Sequence, residues 1–262
     1  MRPDPPSEPP EGAKDEADFG FKRVPAGDKP ALVRTLFDGV ASRYDIMNDL
    51  MSAGIHRLWK NALVDGLAPR PGLTLVDVAG GTGDITFRVH DRIKGAVAPG
   101  RITVLDLSLE MIEHGRMRAW NRGTLEGIDW LVADAEALPL GARVADAYTN
   151  AFGIRNVTHT ERALEEAYRV LKPGGRFLCL EFSPRVRPIL SRAYDAYSFR
   201  VLPLLGELVQ GDRESYSYLA ESIRRFPEPA RFAEMIAAAG FARVKVRLLS
   251  GGIAALFSAW RL

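Results

Sequence analysis

The chain has 262 residues, of which 47% are hydrophobic, and its formal net charge at pH 7 is +2. This length allows one large domain or two small ones with a substantial core, and the small charge gives no indication of nucleic-acid binding. No apolar run reaches the roughly 18–20 residues that span a bilayer. The single cysteine, Cys179, excludes an intrachain disulfide and fits a reducing compartment.

The first thirty residues differ in composition from the rest, because seven prolines alternate there with acidic side chains. Such a segment buries little surface, so a disordered tail is predicted over residues 1–17 and a single folded domain over 18–262. The tail lacks the apolar stretch of a signal peptide. It is also too acidic and too poor in arginine for a mitochondrial transit peptide.

Two helices are predicted before any strand, at Leu32–Met51 and Ile55–Leu67, and together they form a helical lid over about residues 31–67. Short apolar runs then alternate with helical patterns, which is typical of a parallel sheet with helices on both faces. The predicted strands are Leu73–Val78, Arg101–Leu107, Ile128–Val132, Val144–Ala151 and Arg176–Glu181, and the predicted helices are Gly83–Ile93, Ser108–Asn121 and Thr160–Val170.

The end of the chain breaks this alternation. Phe241–Leu249 and Ile253–Leu262 are strand-like runs joined by Ser250-Gly251-Gly252, which predicts a β-hairpin. A parallel sheet that closes with an antiparallel hairpin predicts an α/β, Rossmann-like, seven-stranded class I methyltransferase fold. A mostly helical insertion over about residues 183–229 is expected to cover the ligand site.

A glycine loop, Gly80-Gly81-Thr82-Gly83, lies between the first strand of the sheet and the next helix. The third glycine of a dinucleotide fingerprint is replaced by Thr86, and no Gly-Lys-Ser/Thr follows for a phosphate-binding P-loop. Asp77 and Asp84 add negative charge beside the loop, which would repel a pyrophosphate and favour a ligand with a cationic group.

Two further aspartates follow the next two strands. Asp106 is placed to accept the ribose hydroxyls of a nucleoside, and Asp134 to accept from an adenine amino group. A ribose, an adenine and a cation without phosphates describe S-adenosylmethionine. The alternative for Asp106 is an ordinary carboxylate at a strand end.

Several stretches of the chain, from about Phe19 to Leu262, resemble one family. They are FDGVASRYDIMNDLMS at 37–52, GIHRLWK at 54–60, the glycine loop, AEALP at 135–139, FGIRNV at 152–157, YRVLKPGG at 168–175, LEFS at 180–183, YDAYSF at 194–199 and YLAESIR at 218–224. On these residues the chain resembles the ubiquinone/menaquinone biosynthesis C-methyltransferases.

This resemblance implies methyl transfer from S-adenosylmethionine to a ring carbon of a polyprenyl quinol, either a methoxybenzoquinol, demethylmenaquinol or both. It implies cofactor contacts at Thr82, Asp106, Asp134 and Ala135. It also implies a cytoplasmic location with peripheral membrane contact, while a homodimer and a biosynthetic complex remain alternatives. Two positions depart from the family pattern: Asp134 stands where asparagine is common, and Ala151 where serine is often found.

Arg155 is the first candidate for the chemistry, because a guanidinium stays charged and can stabilise the phenolate of a quinol. A surface ion pair is the alternative. Asn156 could hold a water or a quinol oxygen. Tyr44 and Asn48 share one helix face, so Tyr44 is predicted to lie at the methyl group of the cofactor. The alternative is that these polar residues only cap a helix.

His56 could be a general base, although a lone histidine is more often structural. No metal site is predicted, since the four histidines lack ligand spacing. The tyrosines of the insertion could line a slot for the quinol ring or form an ordinary helix core, and Val201–Leu205 could meet the prenyl tail, a membrane, a dimer partner or the core. These tyrosines are Tyr194, Tyr197, Tyr216 and Tyr218, and the basic residues expected near lipid head groups are Arg192, Arg200 and Arg213.

Two other functions are compatible with some of these residues. Another small-molecule methyltransferase, for a sterol or a phenolic oxygen, would keep the fold and the cofactor. A non-catalytic quinone-binding scaffold would have no need of the glycine loop and Asp106.

Overall fold

The structure, a computed structural model, describes residues 15–41, 44–52, 54–95, 100–124, 126–186 and 213–262. Of Tyr44, Asp45, Met51, Arg213 and Glu214 it describes the backbone only. The strands are β1 Glu16–Phe19, β2 Lys22–Pro25, β3 Thr74–Val78, β4 Arg101–Asp106, β5 Ile128–Val132, β6 Ala145–Ala151, β7 Leu171–Phe182, β8 Ala242–Leu249 and β9 Ala254–Trp260. The helices are α1 Lys29–Val40, α2 Tyr44–Ser52, α3 His56–Leu67, α4 Asp84–Ile93, α5 Leu109–Asn121, α6 Thr160–Val170, α7 Arg213–Arg225 and α8 Pro229–Ala238.

Seven strands form one sheet in the order β5-β4-β3-β6-β7-β9-β8. Strands β3 to β7 pair in parallel, whereas β9 is antiparallel to both β7 and β8. The predicted fold class and the closing hairpin are therefore confirmed. The hairpin's second strand lies between β7 and β8 because its apolar residues are buried on both faces, as the centre of a sheet requires.

The period-2 alternation of the strands divides the core into two layers. Leu178 and Leu180 of β7 join the layer that contains α3, α4 and α7, while Phe177 and Cys179 join the layer that contains α6 and α8. Cys179 is fully buried, so its predicted packing role is confirmed.

Three parts of the chain differ from the expectation. The predicted helix Leu32–Met51 is two helices, α1 and α2. Strand β7 already begins at Leu171, whereas the predicted strand begins at Arg176, and its pairing with β6 shifts register across the Pro-Gly-Gly stretch. Strands β1 and β2 form a small hairpin that starts at Glu16, inside the predicted tail.

The β1–β2 hairpin is held by residues of α7 that lie 199 and 200 positions away in the sequence. The Phe19 ring packs on Tyr218 with 4.4 Å between ring centroids, and the backbone N–H of Phe21 donates to Glu221 at 2.9 Å. Such long-range contacts override a composition that favours disorder. In the described ranges, no helix combines the length and the apolar character that crossing a bilayer requires.

Candidate active site

A cleft of about 740 Å³ opens at the carboxyl ends of β3, β4, β5 and β6. The chain reverses its direction of sheet growth between β3 and β6, and ligands of open α/β sheets bind at such a switch point. Its walls come from the loops after these strands and from one face of α1, which contributes Pro30, Val33 and Phe37. Of the predicted lid, helix α1 borders the cleft.

The three glycines of the loop are glycines for different reasons. A Cβ on Gly80 would lie 2.7 Å from Val104, and one on Gly83 would lie 2.6 Å from the Trp130 ring, so these two glycines allow the loop to pack. Gly81 has a φ of +53°, and a Cβ there would meet only Asp106 and Met111 at 3.9–4.0 Å. Gly81 also lines the cleft. Gly81 is therefore the position in this loop at which a ligand could approach the backbone closely.

Asp106 ends β4 and faces the cleft, as its predicted role requires. Its Oδ2 accepts from the backbone N–H of Gly81 at 2.9 Å, and its Oδ1 accepts from the N–H of Ser108 at 3.0 Å. Burial raises the pKa of this carboxyl to about 6, although the backbone donors oppose the rise. The two hydrogen bonds fix the carboxylate in one orientation with lone pairs left for a ligand.

The loop after β5 forms the opposite wall with Asp134 and Ala135. Asp134 Oδ1 accepts from the N–H of Glu136 at 2.8 Å, which closes a tight turn. Glu136 accepts from the N–H groups of Thr158 and His159 at 2.7 and 2.8 Å. The loops after β5 and β6 are thus tied together across the cleft.

The two other aspartates near the glycine loop do not face a ligand. Asp77 is 1% exposed, and its oxygens accept from the hydroxyls of Thr86 and Thr149, each at 2.7 Å. Asp84 is bound by Lys60 Nζ at 2.7 Å. Burial works against ionisation of Asp84, yet the Lys60 and Arg88 charges bring its pKa down to about 2. Neither carboxylate lines the cleft, because Asp77 is sealed in the core and Asp84 is paired with Lys60, and the expected attraction of a ligand cation stays a prediction.

Thr82 is also directed away from the cleft. Its hydroxyl accepts from Arg118 Nη1 at 2.7 Å, and its side chain is not part of the cleft wall. The resemblance implies a cofactor contact at Thr82, but the Thr82 side chain does not face the cleft.

Arg155 lies in the turn after β6 but points into the protein. Its Nη1 donates to the Phe152 carbonyl at 2.6 Å and to Glu181 Oε1 at 2.7 Å, with both side chains at most 3% exposed. Burial raises the pKa of Glu181, and the guanidinium opposes that rise. The alternative of a surface ion pair is wrong, since this ion pair is buried. Arg155 borders a second cavity next to the cleft rather than the cleft itself.

Asn156 does line the cleft, and its Oδ1 accepts from the Tyr218 hydroxyl at 3.0 Å. Tyr216 and Tyr218 are buried in the core, so for these two tyrosines the helix-core alternative holds. The side chain of Tyr44 and residues Tyr194, Tyr197, Arg192, Arg200 and 201–205 lie outside the described part of the chain, as does the Arg213 side chain.

Two polar residues that organise the site were missed from the sequence. Asn150 Nδ2 donates to the Val78 carbonyl at 2.9 Å, while its Oδ1 accepts from the N–H of Ile154 at 2.9 Å. Asn150 thereby joins the loops after β3 and β6. Glu181 was predicted only as the end of a strand. Both Asn150 and Glu181 are polar residues inside apolar strands, and a polar side chain that is buried must find a hydrogen-bond partner. This pattern could have identified them from the sequence.

The cleft fits S-adenosylmethionine. Asp106 offers acceptor atoms for ribose hydroxyls, Asp134 an acceptor for an adenine amino group, and Gly81 a close backbone approach without a phosphate-binding nest. Among the described residues no three His, Cys, Asp or Glu side chains are grouped to bind a metal ion. Fold and cleft together define a class I methyltransferase that uses S-adenosylmethionine.

Comparison with known proteins makes this assignment specific. The chain belongs to the ubiE/COQ5 methyltransferase family, whose model matches residues 25–261. It is 56% identical over 244 residues to the ubiquinone/menaquinone biosynthesis C-methyltransferase UbiE of Cereibacter sphaeroides, covering 93% of this chain and 96% of that one. It is 54% identical over 249 residues to UbiE of Brucella abortus, covering 94% and 91%.

Solved structures share the fold at lower identity. A SAM-dependent methyltransferase from Aquifex aeolicus superposes with a TM-score of 0.60 at 16% identity, covering 82% of this chain and 97% of that one. A phosphoethanolamine N-methyltransferase from Haemonchus contortus, in complex with S-adenosyl-L-methionine, superposes with a TM-score of 0.57 at 14% identity, covering 78% and 52%.

Proposed function

We propose that this protein methylates a ring carbon of a polyprenyl quinol, a methoxybenzoquinol or a demethylnaphthoquinol, in ubiquinone or menaquinone biosynthesis. The observation that carries the proposal is the 56% identity to a UbiE C-methyltransferase over 93% of the chain. An unrelated phenol or sterol methyltransferase would share the fold but not this identity. A non-catalytic scaffold would have no use for the Asp106 carboxylate held toward the cleft at the free-energy cost of its burial.

The cofactor site of this proposal consists of Gly81, Asp106, Asp134 and Ala135, with Gly80 and Gly83 shaping the loop. Bound S-adenosylmethionine supplies an electrophilic methyl group on a sulfonium. The protein contributes alignment and exclusion of water. Helix α1 closes the cleft from outside, and Asp38 on it accepts from the Ser108 hydroxyl at 2.5 Å, which ties the lid to the first turn of α5.

A quinol becomes a carbon nucleophile when a ring hydroxyl loses its proton, because the charge then delocalises onto the ortho carbon. We expect the acceptor ring beside Phe152 and Phe182, whose rings are 4.7 Å apart, because Phe152 lines the cleft. Arg155 lies over the Phe182 ring, with 5.6 Å from its guanidinium carbon to the ring centroid. The Arg155 Nη2 group carries no hydrogen bond to the described residues and is our candidate to bind the quinol oxygen or a water that accepts the proton.

Asn156 is our candidate to hold the same water, and Tyr44 remains a prediction for the methyl end of the cofactor. Arg155 has a positioning role as well, since its bond to the Phe152 carbonyl holds the turn that forms the cleft wall. The two roles predict different results for variants that keep the fold, as described below.

A lipid substrate fits the exposed apolar side chains of the lid. Ile46, Ile55 and Leu58 are 45%, 38% and 67% exposed on or beside α2 and α3. Such side chains suit a prenyl tail or a bilayer surface, so we propose peripheral membrane contact of a cytoplasmic enzyme. A homodimer or a biosynthetic complex stays a prediction.

An initial-rate assay tests the function. Purified protein is incubated anaerobically with methyl-labelled S-adenosylmethionine and either a short-chain methoxybenzoquinol or a short-chain demethylnaphthoquinol. Label should enter at least one quinol, and the Asp106→Asn variant should lose transfer. Tight cofactor binding without transfer to either quinol would reject the proposal and favour another methyl acceptor.

The variant Arg155→Met/Glu181→Gln tests the two roles of Arg155, because cofactor binding and methyl transfer can be compared in it. It removes the buried charge pair together, so the fold should survive, but it also removes the donor to the Phe152 carbonyl. If Arg155 contacts the quinol oxygen, transfer falls by about two orders of magnitude while the cofactor still binds, whereas a purely positioning role predicts that cofactor binding weakens together with transfer. Activity close to that of the wild type would reject the contact.

A further inference from the structure

Helix α5, at the edge of the sheet, exposes large apolar side chains on its outer face. Leu109, Met117 and Trp120 are 52%, 59% and 69% exposed. Single exposed apolar residues are common on protein surfaces, whereas three on one face of a helix form a patch that marks an interaction site. None of the three lines the cleft, so this patch is separate from the candidate active site.

The inner face of α5 is fixed against strand β5. A Cβ on Gly115, in the middle of α5, would overlap the Trp130 ring of β5, so the helix and the strand touch there. Val132 follows Trp130 by two residues and therefore lies on the same side of β5, where it is 51% exposed. β5 is also the last strand of the sheet order, so its outer edge has no neighbouring strand in the described part of the chain. An exposed apolar edge of this kind promotes association with another chain.

The spacing of the outer residues matches the contact line of two paired helices. Four of them follow one another at intervals of four, three and four positions, namely Leu109, Glu113, Arg116 and Trp120. This alternation places side chains on one line along each helix of a coiled coil. The two ends of the line are apolar, and its centre carries one acidic and one basic side chain. Met117 flanks the line.

The line is complementary to itself in the antiparallel direction. A two-fold axis that crosses α5 midway between Glu113 and Arg116 relates residues at equal distances from that point. It places Leu109 opposite the partner's Trp120, and Glu113 opposite the partner's Arg116. Each apolar side chain then meets an apolar one, and each charge meets the opposite charge. A parallel pair of α5 helices would instead place like charges opposite each other.

We propose that the outer face of α5 is the contact surface of a homodimer, in which two α5 helices pack antiparallel around a two-fold axis. Within one chain Glu113 Oε1 lies 3.0 Å from Arg116 Nη1, and the two side chains are 56% and 60% exposed. An ion pair so exposed contributes little to the stability of a monomer. In the dimer the two ion pairs form a network of four alternating charges, which the apolar contacts at both ends shield from water. Met111, the residue of α5 that lines the cleft, is buried on the inner face, so each subunit keeps its own active site.

Charge reversal tests this pairing, with sedimentation velocity of the full chain as the measurement. Glu113→Arg leaves two cations on the contact line, and Arg116→Glu leaves two anions, so each variant should repel a copy of itself. A mixture of the two variants should associate, because each cation then faces an anion of the other variant. Arg231→Glu and Glu234→Arg are the matched controls, since these residues form an exposed ion pair of the same spacing, at 3.0 Å, on α8.

The wild type should sediment as a reversible dimer, with twice the 28.8 kDa mass of the chain. Glu113→Arg and Arg116→Glu should each raise the dimer dissociation constant at least about tenfold, and their mixture should form a heterodimer with a constant close to that of the wild type. Trp120→Ala removes the largest apolar contact and should also raise the constant about tenfold. Both control variants should dimerise like the wild type.

Three results would overturn the proposal. A wild type that stays monomeric at the highest concentration reached would reject the dimer, even if that monomer bound lipid vesicles through Trp120. A dimer that none of the three variants weakens would have its contact surface elsewhere. A mixture of Glu113→Arg and Arg116→Glu that does not associate would reject the antiparallel pairing. These outcomes do not depend on the methyl acceptor, so they stand apart from the test of the proposed function.

Discussion

Asp106 Oδ2 accepts a hydrogen bond from the backbone N–H of Gly81 at 2.9 Å, which joins the end of β4 to the glycine loop after β3. The bond orients the carboxylate and the loop together, so the two parts of a nucleoside site are formed before a ligand arrives. Preorganisation of this kind reduces the free-energy cost of binding.

Replacing Asp106 by alanine should weaken binding of S-adenosylhomocysteine by about two orders of magnitude, because two charge-assisted hydrogen bonds to the ribose are lost. Isothermal titration calorimetry measures this directly. Asp129→Asn is the matched control, since Asp129 pairs with Arg101 on the exposed edge of the sheet. A tenfold or smaller loss for Asp106→Ala would place the ribose elsewhere.

Cofactor affinity should fall at acidic pH. Burial raises the pKa of Asp106 to about 6, and the ribose hydroxyls need the ionised form as an acceptor. Affinity is therefore complete above about pH 7 and decreases as the pH falls through 6, by about tenfold per pH unit below that value. Asp77 also has a pKa raised by burial to about 6, so the same titration in Asp77→Asn tests the assignment. Loss of the pH dependence in that variant would assign it to Asp77.

The buried ion pair makes Arg155→Met a destabilising change. It leaves Glu181, which is fully buried, without its cation, and should lower the free energy of unfolding by about 3–5 kcal/mol. Arg155→Met/Glu181→Gln should regain most of that loss, because the glutamine can still accept from the Phe182 N–H that Glu181 binds at 2.8 Å. Urea denaturation at pH 7 compares the variants. A single variant within about 1 kcal/mol of the wild type would show that the pair adds little to stability.

Alanine substitution at Gly83 and at Gly81 should affect stability and cofactor affinity differently. Gly83→Ala combines a φ of +82° with a contact of 2.6 Å to Trp130, so it should lower the melting temperature strongly or prevent folding. A Cβ at Gly81, where φ is +53°, would come no closer than 3.9 Å to Asp106 and 4.0 Å to Met111, so Gly81→Ala should fold while cofactor affinity falls at least about tenfold. Thermal unfolding with and without cofactor checks both. Equal destabilisation by the two substitutions would contradict the distinction.

Thr82→Val should change cofactor affinity by less than about threefold, because the hydroxyl is held by Arg118 and not directed to the cleft. The measurement is the same calorimetric titration. A tenfold loss would instead support the side-chain contact that the family resemblance implies.

Local patterns explain which elements could be predicted. Ile128–Val132 and Thr160–Val170 match the structure to the residue, because apolar periodicity and turn residues mark their ends. Ser108, the first residue of the predicted helix Ser108–Asn121, caps α5 by accepting from the Met111 N–H at 3.0 Å. The β1–β2 hairpin was missed since its stability comes from α7, far along the chain.

The residues of the candidate site also fall into those that local patterns predict and those that they do not. Gly81, Asp106 and Asp134 line the cleft, because the ends of parallel strands meet at one edge whatever the side-chain rotamers are, and their contacts with the cofactor stay predictions. The directions of Thr82, Asp84 and Arg155 were not predictable, since each is set by a partner distant in sequence: Arg118, Lys60 and Glu181.

The position of the transferred methyl group tests the proposed reaction most directly. Wild-type protein is incubated with ¹³C-methyl S-adenosylmethionine and each reduced quinol, and the product is examined by carbon NMR. We predict a methyl resonance in the aryl-methyl region, coupled to ring carbons. A resonance in the methoxyl region would mean transfer to oxygen and would contradict the assignment as a C-methyltransferase.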